Sequence, residues 1–150
     1  MHIAFGCDNA ASELKRELME LAQSLGHVCH DCGIGEGEAN DYPLYAARAA
    51  RMVQSGQCER GVVVCGTGVG MSLACNKMKG IRCALCSDCY TARMARAHND
   101  ANMIAMGARV MGPELAKTIL ETFLSASFEG GRHQRRLALI ERLEAGEALE

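Results

Sequence analysis

The stretch RGVVVCGTGVGMSLA, residues 60–74, decides the reading of this chain. An apolar run, Val62-Val63-Val64-Cys65, stops at three alternating glycines, Gly66, Gly68 and Gly70. The pattern that follows predicts a helix from about Gly70 to Lys79. Strand, glycine turn and helix in that order form half of a β/α unit. Such a turn lets backbone N–H groups point inward at a helix N-terminus, which makes an anion site. A developing oxyanion would be held there as well as a resting phosphate. The plainer alternative is a tight turn that needs small residues for packing.

Four more short apolar runs end in Gly, Asp or a following polar residue: HIAFGCD (2–8), VCHDCG (28–33), IRCALCSD (81–88) and NMIAMGARV (102–110). Each is too short for a helix, and near-continuous apolar character is how strands buried on both faces read. Helical segments lie between them. In the first, Leu14, Leu18, Leu21, Ala22 and Leu25 share one face, with Ser12 placed to help cap its start and Gly26 to stop it. Pro43 opens a second helix that runs to Gly56, and a fourth covers about Tyr90–His98. Pro113 opens a fifth that ends near Ser125. A sixth, about 133–149, follows the Gly130-Gly131 break. Alternating strands and helices predict a three-layer α/β/α, Rossmann-like domain with a five-stranded parallel sheet. One such domain fills residues 1–150. No strand follows the last helix. Its Arg- and Glu-rich sequence reads either as a face packed on a partner subunit or as a solvated one.

Bulk properties narrow the function. Apolar residues make up 49% and charged residues 23%, as in an ordinary soluble globular protein. A net charge of −2 gives no electrostatic case for nucleic acid or an anionic membrane. No apolar run approaches a transmembrane length, and MHIAFGCDN lacks the features of a signal peptide. A cytoplasmic location is the default expectation. Nine cysteines are then read as reduced thiols, several acting as small buried hydrophobes.

Ligands of such a sheet bind at the carboxyl ends of its strands, near a switch in strand order. The candidates are Asp8-Asn9, the segment Cys65-Gly66-Thr67-Gly68, Ser87-Asp88, His98-Asn99-Asp100 and Arg109, all expected on one rim. The loop GTGVG lacks the Lys-Ser/Thr ending of a nucleotide-triphosphate loop. It also misses the dinucleotide fingerprint, because Met71 stands where the third glycine belongs. A thiol at a helix N-terminus favours its thiolate form. Cys65 is thereby placed as a base beside an oxyanion hole, with the Thr67 hydroxyl two residues on. That is the outline of proton abstraction next to a carbonyl. Packing remains the commoner role for one cysteine among nine. Cys29/Cys32, Cys83/Cys86 and Cys86/Cys89 have zinc-like spacing. The first two pairs fall on predicted strands, where residues three apart face opposite ways, so no metal is expected.

Six motifs then carry a resemblance over essentially the whole length: GCDNA (6–10), DYPLYA (41–46), CGTGVGMSLACNK (65–77), GIRCALCSD (80–88), ARAHNDANMIAMGAR (95–109) and FEGGRHQRR (128–136). With them the chain resembles ribose-5-phosphate isomerases of type B, whose wider family includes galactose-6-phosphate isomerase subunits. The resemblance implies interconversion of aldose and ketose phosphosugars through an enediolate, with no metal or cofactor. It also implies homodimers or homotetramers whose active sites are shared between subunits. By motif position it implies Cys65 as the base, with the backbone of Gly66, Thr67, Gly68, Val69 and Gly70 as the anion hole. Thr67 would assist proton movement. His98 would open the furanose ring, Asp8 would hold sugar hydroxyls and Asn99 would bind the intermediate. Tyr42 would lie near the sugar, and Arg109, Arg132 and Arg136 would grip the phosphate, some from the partner subunit. Guanidinium forks suit that task.

One position departs from the family pattern. Asn9 stands where a phosphate-binding His is expected, and Asn carries no positive charge. The departure bears on phosphate affinity or on the sugar, so allose 6-phosphate and galactose 6-phosphate are alternatives to ribose 5-phosphate. A non-catalytic sugar-phosphate-binding protein is a third reading, against which Cys65, Thr67 and His98 together speak.

Overall fold

In the computed structural model, which describes all 150 residues, the predicted alternation is present. Strand β1 (His2–Cys7) is followed by a 3-10 turn (Asn9–Ala11) and helix α1 (Ser12–Ser24). Then come β2 (Val28–Asp31), α2 (Tyr42–Gln54) and β3 (Arg60–Cys65). Beyond these lie α3 (Val69–Cys75), β4 (Cys83–Leu85) and α4 (Cys89–Ala97). The chain ends with β5 (Met103–Gly107), α5 (Pro113–Ser125) and α6 (Arg132–Glu144). The five strands form one parallel sheet in the order β2-β1-β3-β5-β4. The chain leaves β1 toward β2 on one side and returns to place β3 on the other. The switch in strand order therefore lies between β1 and β3, where the register pairs Cys7 with Val64.

Side-chain alternation along the central strands builds two cores. Ile3, Phe5, Val62, Val64, Ile104 and Met106 face one way and meet Leu14 and Leu18 of α1 with Ile119, Leu120 and Phe123 of α5. Ala4, Val63, Cys65, Met103 and Ala105 face the other way, toward Tyr45, Ala46, Ala49 and Ala50 of α2 and Met71 and Cys75 of α3. Fully burying each large apolar side chain contributes about 1.5–3 kcal/mol. The small alanines of α2 let that helix lie close to the sheet. Cys65 is thus the last sheet residue on the α2–α3 face.

Several boundaries differ from expectation. The third helix stops at Cys75 instead of Lys79, because Asn76 turns back to β4, its Nδ2 donating to Cys83 O and its Oδ1 accepting from Cys83 N, both at 2.8 Å. The last helix stops at Glu144, five residues short of the expected end. Ser12 does not cap α1 but is its first residue; Asp8 caps the preceding 3-10 turn by accepting from Ala10 N at 3.0 Å. Strand β4 ends at Leu85, so Cys86 lies beyond it, and β2 and β4 are edge strands with partly exposed residues. Lys15, 5% exposed, donates from Nζ to Asp31 Oδ1 at 2.5 Å and to Gly33 O at 3.2 Å. That clamp anchors the segment from β2 to α2.

Two buried thiols make stability depend on alkaline pH. Burial, then the neighbouring Cys58 and Asp31, pushes Cys32 up to about 11. Burial, then Asp88, pushes Cys86 up to about 12. An unfolded chain ionises these thiols near about 8.5. Their contribution is complete below that pH and is lost as pH rises through the folded values. The guanidinium midpoint is expected to fall progressively above about pH 9, and Cys32→Ala with Cys86→Ala should flatten that fall. An equal fall in the doubly substituted protein would contradict the assignment.

Candidate active site

Between the carboxyl ends of β1 and β3, the sequence places Asp8 and Cys65 on adjacent strands. Asp8 N donates to Val64 O at 3.3 Å, which ties the start of its loop to β3. The Cys65 thiol is 6% exposed and sits at the floor of the glycine turn. Gly68 N donates to Cys65 Sγ at 3.1 Å, and Val69 N donates to Thr67 Oγ1 at 3.3 Å. The first bond aims a fixed backbone donor at the sulfur. The backbone N–H groups of Gly66, Thr67 and Gly70 have no protein acceptor. Four orphan donors are normal at a helix start, and clustered ones form an anion hole.

Two glycines make this turn possible. Gly68 has φ +80°, and a Cβ there would lie 2.6 Å from Leu85 Cδ1 and 2.9 Å from the Met106 carbonyl carbon. Gly107 ends β5 directly under the turn, where a Cβ would lie 2.7 Å from the Thr67 backbone. Ala108 N and Arg109 N then donate to Cys65 O and Gly66 O at 2.9 and 3.0 Å, locking the turn to β5. The Arg109 guanidinium consequently lies against Gly66, with Nη1 3.5 Å from the position of a Cβ. Tyr42 opens α2 and lays its ring edge over Gly70, its hydroxyl 3.0 Å from the corresponding point. Asn9 N donates to Asn40 Oδ1 at 2.9 Å, so the loop before α2 closes against the loop after β1. Asp8, Asn9, Tyr42, Cys65, the segment 66–70 and Arg109 thus share the carboxyl edge.

His98 and Asn99 do not. Their expected place on the same rim is corrected by the strand direction. Helix α4 returns the chain to the edge where β5 begins, and His98 follows its last residue. Arg109 stands two residues past the other end of β5. The five residues of β5, at roughly 3.3 Å each, lie between the two groups. Ser87 and Asp88 lie beyond the end of β4, and the Asp88 carboxylate is spent as the cap of α4, accepting from Thr91 N and Thr91 Oγ1 at 2.7 Å each. Those two bonds hold Asp88 below the usual carboxylate range.

A second cluster gathers at the amino edge. His98 stacks on His133, ring centroids 4.1 Å apart and planes within 9°. Glu129 Oε2 lies 3.7 Å from His98 Nε2 and 3.6 Å from His133 Nε2. Burial, then His98 and Arg132, pushes His133 below its ordinary value. Arg132 and Arg136 are exposed one helical turn apart on α6, neither in an ion pair. His98, Glu129 and His133 are the one grouping whose ligand atoms, all within 4.8 Å, are spaced for a metal. Both imidazoles face the Glu129 carboxylate, and the positive charge of Arg132 reaches His133. None of the zinc-spaced cysteine pairs joins that grouping.

Residue types alone missed several participants. Asn40 is recognisable only from its contact with Asn9. Arg82 and Asp100 lie inside quoted motifs, but nothing in their spacing reveals that they bond one another. Glu129 and His133 meet His98 only through the docking of α6.

The Cys65 thiol, the unpartnered N–H groups of the glycine turn and the Arg109 guanidinium thus lie together at the switch point of an α/β sheet. The family model for ribose/galactose isomerases matches residues 3–140. Ribose-5-phosphate isomerase B of Escherichia coli K12 is 46% identical, the match covering 95% of each chain. A D-erythrulose-4-phosphate isomerase of Pectobacterium atrosepticum is 45% identical over 87% of each. The solved ribose-5-phosphate isomerase B of Clostridium thermocellum superposes with a TM-score of 0.95 at 44% identity, covering 99% of this chain and 100% of that one. The chain belongs to the ribose/galactose isomerase family and is an aldose–ketose isomerase by class. No helix is long and apolar enough to cross a membrane.

The turn supplies a direct test. Gly68→Ala is expected to cost about 1–3 kcal/mol of stability, read from chemical denaturation, because both backbone angle and space oppose a side chain. An unchanged midpoint would contradict the close packing of the turn against Met106.

Proposed function

We propose that this protein interconverts ribose 5-phosphate and ribulose 5-phosphate without a metal, Cys65 acting as the base. The observation that carries the reading is the Cys65 sulfur, held by the Gly68 N–H at 3.1 Å beside the unpartnered N–H groups of Gly66, Thr67 and Gly70. The thiolate takes the proton from C2 of the open aldose. The electron pair forms the C1–C2 double bond and charge moves to O1, where the N–H groups hold it. Cys65 returns the proton to C1 as the C2 carbonyl forms, and Thr67 carries the hydroxyl proton between the two oxygens. Asp8 holds sugar hydroxyls from the neighbouring strand, with Tyr42 along the sugar. Arg109 grips phosphate as a bidentate fork.

His98, Asn99, Arg132 and Arg136 serve the same reaction on a second copy. Within one chain the sheet keeps them from Cys65, and a two-fold dimer would bring the amino edge of one copy to the carboxyl edge of the other. Leu139, Ile140 and Leu143 on α6, each 39–54% exposed, support a partner packed along that helix. His98 then protonates the ring oxygen to open the furanose, and Asn99 binds the intermediate.

Asn9 favours a second reading in which the preferred sugar differs. It leaves phosphate to arginines alone, and relatives of nearly equal identity bear five-carbon and four-carbon sugar names. Steady-state isomerisation of ribose 5-phosphate, allose 6-phosphate, galactose 6-phosphate and D-erythrulose 4-phosphate separates these. The expected result is fastest turnover of ribose 5-phosphate, lost by about 10²–10⁴-fold in Cys65→Ala with the fold intact. A faster reaction on another sugar would reassign the substrate, and Cys65→Ala retaining substantial turnover would remove the base.

A further inference from the structure

The turn that carries His98 and Asn99 is held by charges to which no role has been given. Asp100 has φ +43°, in the left-handed region that an L side chain enters at a cost. Its carboxylate is divided between two arginines from different elements. Arg96, on the last turn of α4 and only 5% exposed, donates from Nη1 to Asp100 Oδ1 and to Ala101 O, both at 2.7 Å. Arg82, just before β4, donates from Nε to Asn99 O at 3.0 Å and Asp100 O at 3.2 Å. Its Nη2 reaches Asp100 O and Asp100 Oδ2, both at 3.1 Å. Arg60 faces the same carboxylate: burial, then Arg96, lowers its guanidinium while Asp100 opposes them. The Arg96 Nε is buried without an acceptor, and Asp100 is the one carboxylate paired with that side chain. Arg82 also lies 4.0 Å from Glu141 on α6, the helix that bears Arg132 and Arg136.

We propose that Asp100, gripped by Arg82 and Arg96, is a positioning residue for this isomerase, fixing the turn that presents His98 and Asn99 to the sugar. The inference rests on the reading of those two residues given above. None of the three charged groups need touch substrate. The forked bonds of Arg82 to consecutive carbonyls fix the peptide planes of residues 99 and 100. The same side chain also faces Glu141, 4.0 Å away, on the helix that bears Arg132 and Arg136. Misplacement of a reacting group by about 1 Å is enough to slow a reaction by roughly 10²-fold.

Asp100→Asn removes the charge while keeping the size and the tolerance for positive φ. In the full-length enzyme it is expected to lower kcat on ribose 5-phosphate by roughly 10- to 100-fold. Inhibition by inorganic phosphate should stay within about twofold, because the arginines that hold phosphate are untouched. In a His98→Asn, Asn99→Ala background, the same substitution should cost less than about twofold more, because residues acting through one another are not additive. A general structural defect would instead add its full loss there. Should Asp100→Asn fold poorly in a thermal melt, Arg82→Gln, at the rim of the same network, must reproduce the kcat loss and the non-additivity. Full kcat in Asp100→Asn, or a full additional loss in the double background, overturns the inference while leaving the function intact. Full turnover by His98→Asn overturns the reading of that edge and this inference with it.

Discussion

Because all five strands run in one direction, every crossover helix must carry the chain back to the opposite edge of the sheet. That constraint governs the rest of the molecule. It gathers Asp8, Cys65, the glycine turn and Arg109 at the carboxyl edge, where β1 and β3 part. It also sends His98, Asn99, Arg132 and Arg136 to the other edge, however close some of them lie to Arg109 in sequence. Met103–Gly107 is only five residues long, yet it is buried throughout and separates the two groups rigidly.

Each edge is built by its own physical device. At the carboxyl edge the device is close approach: Gly107 has no side chain, so the Thr67 backbone settles onto β5, and N–H groups of the turn are left without protein acceptors. At the amino edge the device is charge: Asp100 lies between Arg82 and Arg96, and His98 stacks on His133. The first arrangement suits a negative charge that develops on substrate oxygens. The second leaves Arg132 and Arg136 without ion-pair partners, which suits an anionic group delivered from elsewhere.

Most of the fold was legible in the sequence. Near-continuous apolar runs such as Val62–Cys65 and Met103–Gly107 belong to strands covered on both faces, and Pro43 and Pro113 mark helix starts. The glycine turn marked the carboxyl end of β3, because Gly68 takes a positive φ in a space that a side chain would fill. The single rim was not legible. His98-Asn99-Asp100 follows a helix just as Asp8-Asn9 follows a strand, and only the direction of α4 tells them apart. The early end of α3 at Cys75 was hidden too, because it depends on Asn76 bonding β4, a contact made only in the folded chain. Nothing in the sequence around Arg96 reveals its burial, which comes with Asp100 turning back onto it.

Two edges of one sheet can serve one substrate only if two chains meet, and mixing subunits tests that claim most directly. Cys65→Ala and Arg132→Ala damage opposite edges, so each protein alone should be inactive. Dimers formed by co-refolding equal amounts should recover about a quarter of wild-type turnover, because half the dimers are mixed and each mixed dimer keeps one intact site. Recovery near that level is the predicted result. No recovery, in mixtures shown to contain mixed dimers, would mean that each chain completes its own site and would contradict the account.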